Sequence, residues 1–399
     1  MSQRPLILHI TGDYPEPTRT PTTLAVKTFI SNLTDCDHVI VSLTRTADPR
    51  RTLLRELPAP AGQRLFAMHH FGLPLGVGLM ASFRVVARRI EQVLAAHDLQ
   101  PTHVHAHRLT FDGIAAWLLA QRRAIPLLVS VRGEVESKVF RFKPTYAPFY
   151  TRLLRDAHRI YYVSAWFRSQ LERLDADLGN KARLLPNIVA NTQIQITPRA
   201  PAQRIMAVAN LDIYRKKGID RLIAGFAAAA AQLPGVTLDI VGAGRRENVE
   251  ALQRLIEVSG HRASIRLRGP LANAALLAEL PTALAFALPS RNETFGMVYT
   301  EALFAGVPIL YSRGTGVDGH LDGLDIGVAV APDDTEAIAA ALIELARHND
   351  RFRANIAAGA KELYRRFDAS AQVAMYMDDL AAARKPAPCA KNENGAVHA

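Results

Sequence analysis

Apolar positions along the chain fall into two alternating patterns. Short apolar runs at Leu6–Ile10, Val39–Leu43, His103–His107, Leu127–Val131 and Arg159–Val163 read as strands. Between them lie stretches with helical spacing, over residues 22–33, Arg84–Ala96, Gly113–Arg122 and Ala165–Leu174. In Arg84–Ala96 the residues Val85, Val86, Ile90, Val93 and Leu94 form one stripe, which predicts a core-facing helix. Arg183–Leu185 reads as a short strand closed by Pro186-Asn187. Residues 188–203 have neither period and carry prolines, which predicts a linker. The alternation then resumes. Strands are predicted at Arg204–Val208, Thr237–Val241, Ile265–Arg268, Leu284–Leu288, Pro308–Tyr311 and Val328–Val330. Helices are predicted at Gly218–Gln232, Asn248–Ser259, Asn273–Leu280, Met297–Phe304 and Thr335–Arg347. Strands alternating with helices imply parallel sheets covered on both faces. Two such blocks predict an α/β protein of two doubly wound domains, with ligands at the carboxyl ends of the strands, in the cleft between them.

The length of 399 residues fits two domains. With 49% apolar and 21% charged residues, the chain is neither largely disordered nor collagen-like. The two cysteines, Cys36 and Cys389, are too far apart in sequence for a disulfide framework, so a reducing compartment is expected. Net charge is +11 and unevenly placed: residues 1–195 hold 25 Lys/Arg against 15 Asp/Glu, and the rest 23 against 22. A basic first half predicts an anionic partner there: a phosphorylated ligand, an anionic membrane surface or nucleic acid. No run approaches the roughly 20 apolar residues of a membrane span, and the first apolar run is short for a signal peptide. A cytoplasmic protein is expected, with a disordered tail at 386–399.

Candidate chemistry concentrates in three segments of the second half. In residues 288–308, LPSRNETFGMVYTEALFAGVP, Gly296 stands where a loop opens a helix. A helix start offers free backbone N–H groups and a positive dipole end, which suit a diphosphate. Glu301 lies further into that helix, where a carboxylate can accept both hydrogen bonds of a ribose diol; Glu293 lies before it. In VANLDIYRKKGIDR a strand end is followed by Arg215, Lys216, Lys217 and Gly218, which places cations at the strand's carboxyl end. Val241-Gly242-Ala243-Gly244 follows another strand, but the third glycine of a dinucleotide fingerprint, near Glu247, is missing.

Together with Arg268-Gly269, Pro289-Ser290 and Ala305-Gly306-Val307-Pro308, these segments resemble the retaining glycosyltransferases of family 4. That family has the GT-B fold, in which two Rossmann-like doubly wound domains face each other across a cleft. Val163-Ser164, Pro186-Asn187 and His105-Ala106-His107 carry a weaker resemblance in the first half. The resemblance implies an acceptor-binding domain at 1–194 and a nucleotide-sugar-binding domain at 195–368, with a helix at 369–385 crossing back onto the first. It implies that Lys217 contacts the diphosphate, that Glu301 holds the ribose and that Glu293 lies beside the transferred sugar. The backbone at Phe295, Gly296 and Met297 would lie near the phosphates, with Gly242, Arg215 and Lys216 completing the donor side. His107 joins Glu293 and Lys217 as a catalytic candidate. Arg132, Glu134 and Arg19 are the acceptor-side candidates. A glycan or polyprenyl-linked acceptor is expected. Neither metal nor cofactor is expected, because protein cations and the helix start carry the leaving-group charge.

The chain departs from the family in four places. Asn210 stands where an arginine is usual, leaving Arg215 or Lys216 to substitute. The first loop, Glu16 to Pro21, lacks the usual glycine pair, and Arg132-Gly133 and Asn187-Ile188 replace His-Gly and Asn-Gly.

Other segments carry weaker signals. His103, His105 and His107 alternate along one strand and span too far to share one metal ion. Asp175-Ala176-Asp177 reads as solvated charge rather than a metal-binding pair. Residues 138–155 interleave Lys138, Arg141, Lys143, Arg152 and Arg155 with Phe140, Phe142, Tyr146, Phe149 and Tyr150, which suits a membrane interface, an anionic lipid-linked acceptor, single-stranded nucleic acid or an ordinary connection. No nucleic-acid-binding motif is present, so nucleic acid is not expected as a partner. An epimerase or phosphorylase on the same fold is the rival enzyme reading.

Overall fold

The computed structural model describes residues 4–17, 23–175, 178–189 and 202–383. The first half contains β1 (Leu6–Thr11), α1 (Ala25–Asn32), β2 (Asp37–Thr46), β3 (Leu53–Leu57), β4 (Gln63–Phe71) and α2 (Leu79–Ala96). It continues with β5 (His103–Ala106), α3 (Phe111–Arg123), β6 (Leu127–Val131), α4 (Glu134–Phe142), α5 (Ala147–Asp156), β7 (Arg159–Tyr162), α6 (Arg168–Glu172) and β8 (Ala182–Leu184). The second half contains β9 (Arg204–Val208), α7 (Ile219–Ala229), β10 (Thr237–Val241), α8 (Arg246–Val258), β11 (Ile265–Gly269), α9 (Asn273–Glu279), β12 (Ala285–Ala287) and α10 (Met297–Phe304). It ends with β13 (Ile309–Ser312), β14 (Gly327–Val330), α11 (Thr335–Arg347), α12 (Asn349–Ala358), α13 (Ala360–Phe367) and α14 (Ala369–Ala383).

The strands form two sheets, in the orders β3-β4-β2-β1-β5-β6-β7-β8 and β11-β10-β9-β12-β13-β14. All pairings are parallel except β3 with β4. Two doubly wound α/β units are therefore present, as the alternation predicts. In both sheets the strand order turns back beside the first strand, and there the carboxyl ends open into a crevice.

The central strands are buried on both faces, and β6 is buried at every position. In α2, Val86, Ile90, Val93 and Leu94 are buried, but Val85 is 49% exposed. The expected stripe therefore loses one member. The aromatic–basic segment folds into α4 and α5, with Tyr150 buried, Phe140 and Phe149 packed against the core, and Phe142 outside. Asp175 is buried and takes a 2.8 Å hydrogen bond from Arg155 Nε, so it is not solvated charge. Asp177, most of the expected linker and the tail lie outside the described residues.

Helix α14 packs on the first sheet. Tyr376 stacks on His105, and Asp379 accepts hydrogen bonds from Arg159 Nε at 2.6 Å and the Tyr161 hydroxyl at 3.1 Å.

Candidate active site

The lysine loop follows β9. The Asn210 side chain accepts a 2.9 Å hydrogen bond from the Asp212 amide and so caps the short turn Leu211–Ile213. Where the family resemblance places an arginine, this chain has a cap. Gly218 sits at φ +71°, and a Cβ there would lie 1.9 Å from the Pro289 carbonyl oxygen. Only glycine lets the loop rest on the end of β12. Arg291 clamps it: its amide donates to the Lys216 carbonyl, and its guanidinium reaches the Arg215 carbonyl, Asp220 and Asp333.

The three expected cations diverge. Arg215 folds back on Tyr214, with Nε 3.1 Å from the hydroxyl. Lys216 Nζ reaches Glu134, 2.7 Å away in the first half of the chain. Lys217 Nζ pairs with Glu293. Lys217 alone therefore meets the Glu293–Glu301 segment.

That segment is held by backbone and core. The Glu293 amide donates to Thr315 Oγ1 at 2.6 Å, and the Gly316 amide donates to the Glu293 carbonyl at 3.0 Å. Gly296, at φ +76°, starts α10, and a Cβ there would strike the Tyr299 ring. The buried Tyr299 hydroxyl donates to the Leu288 carbonyl, and burial raises its pKa. The Phe295 ring is buried against His320 and Phe367, which leaves its backbone for a ligand. Met297 packs on the core edge. Glu301 is half-buried on α10, burial raises its pKa, and its carboxylate has no partner among the described residues. Gly242 has a packing reason as well: a Cβ would stand 1.9 Å from the Ala209 carbonyl oxygen.

The two halves touch at this site. Ser164 Oγ donates to the Thr294 carbonyl at 2.6 Å, and Trp166 Nε1 lies 3.4 Å from the same oxygen. The Ala165 amide donates to His320 Nε2 at 3.2 Å, and burial pushes His320 down to about 4. Burial acts to raise the Glu134 carboxyl, but Lys216 and then Lys138 hold it below the usual range. This acceptor-side candidate is therefore a strut between the halves.

Arg132 is buried, which lowers its pKa, and its Nε donates to the His107 carbonyl at 3.0 Å. His107, expected among the catalytic residues, is only 2% exposed and lies in a chain of imidazoles. His38 Nε2 can only donate to the Leu33 carbonyl, so its Nδ1 accepts from His9 Nε2, and His9 Nδ1 accepts from His107 Nε2, each at 3.0 Å. Burial keeps these rings neutral. His107 is thus largely buried, and it borders a small pocket that Arg132 and Asn187 also line. His9, not His103, completes a group with His105 and His107 whose ring nitrogens lie within 4.8 Å of one another. His105 also bonds Tyr376 and Ser130. Arg19 lies outside the described residues.

Sequence reasoning missed a charged cluster at the ends of β1 and β5. Arg108 Nε donates to Asp13 at 2.8 Å, the Gly12 amide to Asp112 at 3.2 Å, and the Leu109 amide to Glu136 at 3.1 Å. Burial pushes Asp112 up to about 7, against Arg108. Charged residues directly after apolar strand ends were the available signal. Beside this cluster lies a cavity of about 810 Å³.

Comparison with known proteins agrees with this architecture. Residues 202–348 match the family model of glycosyl transferases group 1, and residues 24–187 that of the glycosyl transferase 4-like domain. The chain is 29% identical over 197 residues to glycogen synthase of Mycobacterium tuberculosis, covering 48% of this chain and 46% of that protein. It is 28% identical over 287 residues to the GDP-mannose-dependent alpha-(1-6)-phosphatidylinositol monomannoside mannosyltransferase of Mycolicibacterium smegmatis, covering 67% and 72%. The match to the first of these spans about half of that relative's length. The structure of sucrose-phosphate synthase from Thermosynechococcus elongatus superposes with a TM-score of 0.69 at 19% identity, covering 95% of this chain and all of that one. The fold is GT-B, and with both halves matched in order, the chain belongs to the group 1 glycosyltransferases.

Proposed function

We propose that this protein transfers a sugar from a nucleotide-sugar donor to a glycan or lipid-linked acceptor, with retention of anomeric configuration and without a bound metal. The observation that carries this reading is the Lys217–Glu293 pair at the start of α10, with the unpartnered, half-buried Glu301 further along the same helix. A diphosphate at the start of α10 meets backbone N–H groups, the positive dipole end and the Lys217 ammonium. The ribose diol then donates to Glu301, which holds the hydrogen-bond capacity that burial leaves unused. Glu293, parted from Lys217 by the incoming phosphate, faces the transferred sugar.

In this reading the acceptor hydroxyl attacks the anomeric carbon on the face the diphosphate leaves. The departing phosphate oxygen takes the hydroxyl proton. Lys217 and the helix start stabilise the charge that develops on the leaving group, and the two halves supply positioning. The positive charge of the first half suits an anionic acceptor at the cytoplasmic face of a membrane. Among the described residues no helix is long and apolar enough to cross a membrane.

The relatives' names supply donors to try, GDP-mannose among them. With a donor that is consumed, the product keeps the donor's anomeric configuration by NMR, and EDTA leaves turnover unchanged. An inverted product overturns retention. Loss of turnover in EDTA that Mg²⁺ restores overturns metal independence.

A further inference from the structure

The cavity of about 810 Å³ opens at the carboxyl ends of β1, β2, β4 and β5. Its volume is that of a small-molecule site, but its walls are not those of a sugar site. Leu43, Leu79, Phe83, Phe111 and Val139 line it, with no amide side chain and a single carboxylate, Asp112. Asp112 already accepts from the Gly12 amide. A glycan would leave most of its hydroxyls unpaired against such walls.

Two further features set the chemistry of an occupant. The mouth carries large apolar side chains in solvent: Leu73 at 43%, Val77 at 61% and Phe142 at 74% exposed. Lys138 and Lys143 stand at the rim. Lys143 has no ion pair among the described residues, and Lys138 shares Glu134, at 3.4 Å, with Lys216.

We propose that this cavity binds an amphipathic lipid with an anionic headgroup. The chain fills the apolar walls, and the headgroup lies by Lys138 and Lys143. Helix α4 ties the cavity to the donor loop. Phe142 and Val139 border the cavity, while Glu134 at the other end of the helix touches Lys216, next to Lys217. At 1.5 Å per residue these ends are about 12 Å apart. An occupant with its headgroup along α4 brings that headgroup toward the transferred sugar. Naming the lipid as the acceptor rests on the proposed transferase function; its binding does not.

The test is calorimetric titration of the full chain with 1-lauroyl-lysophosphatidic acid below its critical micelle concentration. Lauroyl-lysophosphatidylcholine and glycerol phosphate are the comparison ligands. No donor is present, so failure here leaves the transferase reading standing, and absence of donor binding leaves this result standing. The expected result is saturable binding of one lysophosphatidic acid per chain, at least fivefold tighter than the choline compound, with no binding of glycerol phosphate. Val77→Asp, at an exposed position that the fold does not need, weakens binding at least tenfold, and Lys143→Glu at least fivefold. Unchanged affinity in Val77→Asp, or binding of glycerol phosphate as tight as that of the lipid, overturns the proposal. So does binding confined to vesicles, since that is a surface and not a cavity.

Discussion

Gly218 shows how a residue without a side chain decides where a charged one stands. Its left-handed backbone and its approach to Pro289 set the direction in which Lys217 leaves the loop. Gly218→Ala is therefore expected to cost about 1–3 kcal/mol, from strain and from contact with backbone that cannot yield. Urea denaturation measures it, and a change below about 0.5 kcal/mol contradicts the assigned role. Lys217, Glu293, Gly296 and Glu301 were legible in the sequence because each stands in a short segment whose strand, turn and helix are local. What their neighbours do was not. Glu134 is engaged by a lysine 82 positions away, and His107 is drawn inside by His9 on the adjacent strand. Arg215 turns to the tyrosine beside it, a rotamer choice that spacing does not reveal. Asn210, where the resemblance places an arginine, caps the turn through the Asp212 amide instead.

Elements with a single strong period were read closely. β6, α10 and α11 stand where apolar runs or helical spacing predict them, and α14 stands where the family resemblance implies a helix. The pair β3 and β4 was missed because β3 is an edge strand with an exposed middle, so its pattern resembles a loop. Helices α4 and α5 were hidden by aromatic residues spread through a basic segment, and α12 and α13 by sparse apolar positions. Helix α14 carries a buried charge that closes the molecule. Asp379 is 1% exposed and receives Arg159, Arg183 and Tyr161. Removing one partner of a buried pair strands the other, so Asp379→Ala is expected to cost about 3–5 kcal/mol. Chemical denaturation checks this. A cost under 1 kcal/mol shows that α14 is held by its apolar contacts alone.

Across the whole molecule, buried histidines set the response to acid. Burial lowers the pKa of His9, His38, His70, His105, His107, His158 and His320, with His105 near 3. Below about pH 6.5 the unfolded chain binds protons that these rings refuse in the fold, so stability falls as pH falls. Asp112, Glu136 and Glu301 are raised by burial and act in the opposite sense, but they are fewer. The melting temperature is expected to fall steadily from pH 7 to pH 5; a flat or rising profile contradicts the buried, neutral histidine chain. The central claim is that the start of α10 and Lys217 form a nucleotide-sugar site. It is tested most directly by thermal shift of the wild type and Lys217→Ala with UDP-, GDP- and ADP-sugars, with NAD and phosphate as controls. The account predicts that one nucleotide-sugar stabilises the wild type and that Lys217→Ala loses most of that shift while keeping its own melting point. Stabilisation by NAD alone, or an equal shift in the variant, contradicts it.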